Sequence, residues 1–166
     1  GELKFINNKI EYKDVKARYI VFCEGYQLRR NPWFSYLPLE GSKGEFLHIR
    51  SKVLSQKKII KAGLFIVPIE KDLFWVGANF DRKDKTSKPT KSGKDWILVK
   101  LKSLLNSPFE VVDHKAAIRP TVKDRRPLLG AHPIQKNLYI FNGLGTRGVL
   151  MGPLLAKWMY KFVVEK

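Results

Sequence analysis

Residues 143–148 read GLGTRG, the G-x-G-x-x-G spacing of a dinucleotide-binding turn. An apolar run, NLYIFN (137–142), precedes it, and a helix-like run, VLMGPLLAKWMYKFVVEK (149–166), follows. That is the strand–turn–helix context such a fingerprint requires. A Rossmann unit, however, continues into a second parallel strand, with an acidic residue about 20 residues on. Here the sequence reaches Lys166 with the helix barely complete. The same backbone chemistry is therefore expected to serve something other than a pyrophosphate.

Composition narrows the alternatives. The 166 residues suffice for one core or two small lobes, and 44% hydrophobic with 12% aromatic content predicts a folded chain. No apolar run approaches the ~20 residues of a membrane span. GELKFINNKI begins polar, without the apolar core of a signal peptide, and starts as though in mid-strand; a segment of a longer cytoplasmic protein is expected. Cys23 is the single cysteine, which excludes an internal disulfide and any multi-cysteine metal site. His48, His114 and His132 lack metal-ligand spacing, so structural roles and no metal are expected. Cys23, within an apolar run, reads as an inert core thiol.

Charge is the strongest compositional signal: 32 Lys+Arg against 15 Asp+Glu, formally +17. Such an excess favours polyanionic partners. The basic residues are nevertheless dispersed, in KKIIK (57–61), RKDKTSKPTKSGK (82–94) and KDRR (123–126). A solvated lysine-rich surface, a nucleic-acid footprint and screening of a missing acidic half all remain open.

Along the chain, strand patterns dominate. LKFINN and KIEYKDV alternate around Asn7-Asn8 as a hairpin would. ARYIVFCEG is almost continuously apolar and reads as a strand buried on both faces of a parallel layer. YQLRRNPWFSYLPLEGSKG reads as a long ordered loop, where Trp33, Phe34 and Tyr36 form either packing or a wall. EFLHIRS, AGLFIVPIE and DLFWVGANF are successive strands, the last pair turned at Lys71-Asp72. Phe74 and Trp75 alternate, so one faces core and the other is open to a cavity role. KSGKDWILVKLKSLLNS is the internal helix, with Trp96, Ile97, Leu98, Leu101, Leu104 and Leu105 as its apolar face. PFEVVDHKAAI is a further strand, and RPTVKDRRPLLGAHP a proline- and arginine-rich connection. The predicted class is α+β: a mostly antiparallel sheet with one internal helix, plus parallel-layer strands (YIVFC, LYIFN) and a C-terminal helix.

The run AAIRPTVKDRRPLLGAHPIQKNLYIFNGLGTRGVLMGPLLAKWM resembles the C-terminal part of the D-amino acid oxidase family of FAD-dependent oxidoreductases, which includes glycine oxidase and a tRNA-modifying oxidase. The family pattern is Gly-hydrophobic-Arg-Pro, then Asp-x-x-Pro-x-x-Gly, a strand, and Gly-x-Gly-x-x-Gly opening the last helix. Each element occurs in order, except that Ala117 replaces the first glycine. YIVFCEG is similar to the family strand that passes beneath the cofactor, and LPLEGSKGEFLHI to the segment opening the substrate-domain strands. The family's pyrophosphate turn lies near its N-terminus, and residues 1–142 contain no such glycines. The resemblance thus implies a C-terminal half: 1–40 belonging in part to the FAD domain, 41–118 to the substrate domain, 119–166 to the flavin-edge segment, with the N-terminal Rossmann half absent.

What the resemblance implies about chemistry is specific. Gly143, Gly145, Thr146, Arg147, Gly148, Val149 and Leu150 become cofactor contacts at the flavin edge, where the positive end of the last helix would stabilise charge developing on reduction. The alternative is a plain glycine turn capping a packed helix. Arg119 becomes the residue that forks onto a substrate carboxylate; its alternative is a structural arginine. Asp124 is expected to fix its loop through local hydrogen bonds, while Arg125 and Arg126 either pair structurally or touch an anionic substrate.

The implied function is oxidation of a C–N bond of a small amine or amino acid by hydride transfer to FAD in an intact parent, the fragment alone being inactive and retaining no FAD. The alternative is a basic nucleic-acid-binding module, including tRNA within a tRNA-modifying flavoenzyme. No membrane partner is expected, and unpaired sheet edges leave a homodimer of the fragment open.

Overall fold

The computed structural model describes residues 4–6, 9–12 and 15–165. They divide into two compact units: residues 1–41 with 119–166, and Ser42–Ile118.

In the first unit, β1 (Lys4–Ile6), β2 (Lys9–Tyr12) and β3 (Val15–Ala17) form an antiparallel three-stranded meander. The Asn7-Asn8 turn lies outside the described residues. β4 (Ile20–Phe22) pairs in parallel with β11 (Leu138–Asn142), and β10 (Leu128–Ala131) flanks β11 on its other side in antiparallel register. The two apolar runs are therefore neighbours in one parallel layer with no βαβ crossover between them. Leu138, Tyr139 and Ile140 are buried, as befits a central strand covered on both faces.

β4 departs from that expectation. It is an edge strand of three residues, so Val21 is exposed and Cys23, past its end, is exposed as well. Cys23 is not a core thiol. The run Gly25–Arg30 is a 3-10 turn rather than irregular loop, and it buries Leu28 against Phe34, Leu39, Val122 and Leu138. Phe34 is core, whereas Tyr36 is 62% exposed. The last helix, α2 (Gly148–Val164), packs Met159 and Val163 onto Tyr139. Pro153 stands in its second turn, and its missing N–H leaves the Val149 carbonyl without an intrahelical donor. Leu150, Leu154, Trp158 and Phe162 on the same helix are exposed.

The second unit is a five-stranded sheet in the order β6 (Ile60–Lys61), β7 (Phe65–Glu70), β8 (Leu73–Gly77), β5 (Ser42–Arg50), β9 (Glu110–Arg119). The β7–β8 turn places Asp72 at φ 58°, a left-handed conformation that aspartate tolerates better than most residues. α1 (Lys91–Leu104) covers one face of this sheet, burying Ile97 and Leu101 among Leu47, Ile49, Ile66, Phe74 and Val76. Each such aliphatic side chain contributes about 2 kcal/mol on burial. The apolar stripe of α1 is narrower than predicted, for Trp96 and Leu104 are partly exposed. Thr90 caps the helix by accepting from the Gly93 N–H at 3.1 Å.

Candidate functional site

β11 ends in a buried asparagine that locks the loop following it. Asn142 donates through Nδ2 to the Gly25 carbonyl (2.9 Å), and its Oδ1 accepts from the Gly143 N–H (2.8 Å). Gly143 then turns the chain at φ 71°, where a Cβ would lie 2.8 Å from Val122 Cγ2 and 3.1 Å from the Leu128 nitrogen. Both conformation and space demand glycine there. Gly145 adopts φ 55° and donates to the Pro120 carbonyl at 3.0 Å. Gly148 differs: its φ of −56° is helical, and a Cβ would meet nothing closer than Leu144 at 3.4 Å. Its glycine is not required by backbone conformation.

α2 starts at Gly148 with no side-chain cap and no acidic residue in its first turn. The first N–H groups of a helix have no intrahelical acceptors, and the aligned peptides leave partial positive charge there. No acidic residue stands in that first turn to offset it. Thr146 and Arg147 are exposed, as are Val149 at 97% and Leu150 at 81%. The start of α2 therefore presents open N–H donors beside two bare aliphatic side chains. A planar, partly apolar group that accumulates negative charge at one edge fits that set of donors and contacts.

Arg119 ends β9, and its neighbours bind directly to this loop. The Thr121 N–H returns to the Arg119 carbonyl (2.9 Å), Pro120 accepts from Gly145, and Glu40 donates to Thr121 (2.9 Å). Arg119 is half-buried, and burial pulls its guanidinium below the usual arginine range. The structure thus brings Arg119 and the glycine loop into one hydrogen-bonded segment. Beyond it, Arg125 donates its N–H to Val122 (3.0 Å), Asp124 Oδ1 accepts from the Arg126 N–H (3.0 Å), and Arg147 Nη2 donates to the Arg125 carbonyl (3.4 Å). Asp124 makes the local bond expected of it.

The second unit holds a buried charge network that the sequence did not reveal. Lys43 and Glu45 are almost fully buried. Lys43 Nζ donates to Asp84 Oδ2 and the Lys88 carbonyl, each at 2.5 Å. Glu45 accepts from the Thr90 N–H and hydroxyl, both at 2.8 Å, and His114 Nε2 lies 2.9 Å from its Oε2, off the hydrogen-bond axis. Burial pushes the Glu45 carboxyl up, but the two Thr90 bonds with Lys43 and His114 outweigh it and hold the group below its usual range. A Cβ on Gly93 would overlap the Glu45 carboxylate. The network ties β5 to the 81–90 loop and to the start of α1. The signal available was Gly93 at the third position of a helix, where glycine is otherwise unfavourable. On the sheet face away from α1, the Trp75 ring lies 5.4 Å from Phe46, over the bare Cα of Gly77. Among the described residues, no cluster could hold a metal ion and no helix is long and apolar enough to cross a membrane.

Residues 5–161 match the family model described as FAD dependent oxidoreductase, DAO. The chain belongs to this family. Glycine oxidase of Bacillus subtilis is 26% identical over 173 residues, covering the whole of this chain and 46% of the relative. The tRNA 5-methylaminomethyl-2-thiouridine biosynthesis bifunctional protein of Idiomarina loihiensis is 27% identical over 127 residues, covering 73% of this chain and 21% of that protein. Among solved structures, glycine oxidase from Geobacillus kaustophilus superimposes with a TM-score of 0.79 at 23% identity, over 99% of this chain and 47% of that one. Iminodiacetate oxidase from Chelativorans sp. BNC1 gives 0.80 at 19% identity over similar shares. The fold is thus that of DAO flavoenzymes, and the chain spans less than half the length of these relatives.

Proposed function

We propose that the chain is the flavin-edge and substrate-binding half of an enzyme that oxidises the C–N bond of a small amine or amino acid. FAD, when bound, supplies the hydride acceptor. Gly143 through Leu150 line the flavin edge, where the N–H groups opening α2 at Gly148 through Leu150 face the developing charge, with Val149 and Leu150 as apolar contacts. Arg119 forks onto the substrate carboxylate and orients the reacting C–H. Residues 1–40 and 119–166 serve the cofactor domain, residues 41–118 the substrate domain. An N-terminal half supplies the pyrophosphate turn and covers the apolar flank of α2; in the fragment alone, a second copy of the chain is the competing cover.

The observation that carries this reading is the uncapped, acid-free start of α2 hydrogen-bonded through Gly145 to the Arg119-Pro120 segment. The test is a visible spectrum of the intact cytoplasmic parent, followed by anaerobic addition of amines. Flavin absorbance bleached by an amino acid is expected; a colourless parent that binds no FAD ends the proposal. The fragment alone is expected to elute without flavin and to be inactive.

A second reading has a specific observation in its favour. The net charge of +17, together with relatives whose name includes tRNA, favours an amine carried on tRNA as substrate. Bleaching by tRNA bearing an aminomethyl group, and not by free glycine, would distinguish it.

A further inference from the structure

We infer that the loop Lys123–Arg126, braced by Arg147, is a contact site for the phosphate backbone of RNA. This inference rests on the second reading above and adds to it a surface on the chain.

Four cations, Lys123, Arg125, Arg126 and Arg147, meet where this loop touches the glycine loop, and all are exposed. Arg147 Nη2 reaches the Arg125 carbonyl, which draws a third guanidinium toward the two already on the loop. The acid within the loop is Asp124, whose side chain bonds the Arg126 backbone and stands 3.9 Å from its guanidinium, with the Arg126 side chain still 87% exposed. Like charges gathered this closely repel one another unless an anion joins them.

Backbone conformation carries the second part of the argument. Arg125 sits at φ 62°, a left-handed position where glycine is the low-energy choice. A bulky cation standing there at a conformational cost points to a use for the guanidinium itself. The turn Val122–Arg125 leaves Lys123, Arg125 and Arg126 exposed on one loop. Arginine forks match phosphate oxygens bidentately, and several on one rim suit a repeating phosphate backbone better than a single small anion. Elsewhere in the chain Lys61, Arg82 and Lys100 lie over the exposed rings of Phe65, Phe80 and Trp96, faces on which bases also stack.

The test compares two double variants in fluorescence anisotropy with a labelled, unmodified tRNA transcript across a salt series. Arg125→Gly with Arg126→Ala removes two charges from the loop and places glycine where the backbone favours it, so folding is preserved. Lys57→Gln with Lys58→Gln removes two exposed charges from another surface. The loop variant is expected to bind at least ~10-fold more weakly at low salt and to lower the slope of log K against log salt by about 2, since each lost phosphate contact removes about 0.9. The lysine variant is expected to change either quantity far less. Equal losses in both variants, absence of tRNA binding by the unaltered chain, or preference for phosphatidylserine vesicles over tRNA would each overturn the inference. Bleaching of the intact enzyme's flavin by aminomethyl-bearing tRNA is read separately, so failure of the tRNA-substrate reading and failure of this site are distinguishable.

Discussion

Gly145 donates its N–H to the Pro120 carbonyl at 3.0 Å, one residue beyond Arg119. The loop that opens α2 and the segment that carries the candidate substrate arginine are thus parts of one rigid crossing. A backbone bond sets their spacing, so side-chain substitutions in either should leave it intact.

Gly143 is the position where this crossing is least tolerant. Alanine there must adopt φ 71° and press on Val122 and Leu128, an expected loss of roughly 3 kcal/mol from backbone strain and overlap together. Gly130, in a strand and with open space at its Cβ position, should gain about 0.5–1 kcal/mol on change to alanine. Urea denaturation of both variants checks the contrast; equal stabilities would refute it.

Arg119 is best tested with lysine, which keeps the charge and loses the fork. In the intact enzyme, kcat/KM for carboxylate-bearing amines should fall about 10- to 100-fold, from the ~1.5–3 kcal/mol of a charged hydrogen-bonded contact. Amines without a carboxylate should be oxidised as before. Equal losses for both substrate classes would assign Arg119 a structural role.

The buried network predicts acid sensitivity in the second unit. The Lys43 ammonium, then the Thr86 contacts, hold the Asp84 carboxyl down to about 2, below its ordinary 3.8. A group depressed in this way adds stability above its unfolded value and loses it as pH falls through the folded one. Asp84→Asn should therefore lower Tm at pH 7, with the difference closing between about pH 4 and 2. Glu45→Gln removes the carboxylate that accepts both Thr90 bonds, while Lys43 keeps Asp84, and should cost about 1.5 kcal/mol at neutral pH. A pH-independent Asp84→Asn difference would show that the ion pair is not its source.

Cys23 offers a chemical probe of the β4 edge. Burial first, and then the Glu24 charge, push its thiol above the usual range although the residue is exposed. Alkylation by iodoacetamide at pH 7.5 should be several-fold slower than for a free thiol, and Glu24→Gln should accelerate it, since the thiolate is the reactive form. Reaction as fast as free cysteine would contradict the shift.

Periodicity made most elements legible. Alternation exposed β5, β7 and β8, the Lys71-Asp72 turn marked itself, and both helices announced their lengths. β10 stayed hidden because Gly130 interrupts its four residues and Pro127 and Pro133 flank them; its ladder with β11 supplies the order that local sequence withholds. ARYIVFCEG was misleading for the reverse reason. A continuous apolar run indicates burial only when neighbours flank the strand on both sides, and β4 is at an edge. Lys43 and Glu45 look like solvated strand residues until the 81–90 loop closes over them. Arg119 and residues 143–150 were reached through motif resemblance; Asn142, which braces the loop, could not be, because its partner Gly25 is 117 residues away.

That separation shapes how the chain must fold as it leaves a ribosome. The second unit is contiguous and has its own core, so it can close while the remainder is still being made. The first unit cannot: β4 precedes the second unit and waits for β11, and closing so long a loop carries an entropic cost that only late contacts offset. During that interval β4 and its exposed thiol form an unpaired edge, the point at which a nascent chain is most exposed to misassociation.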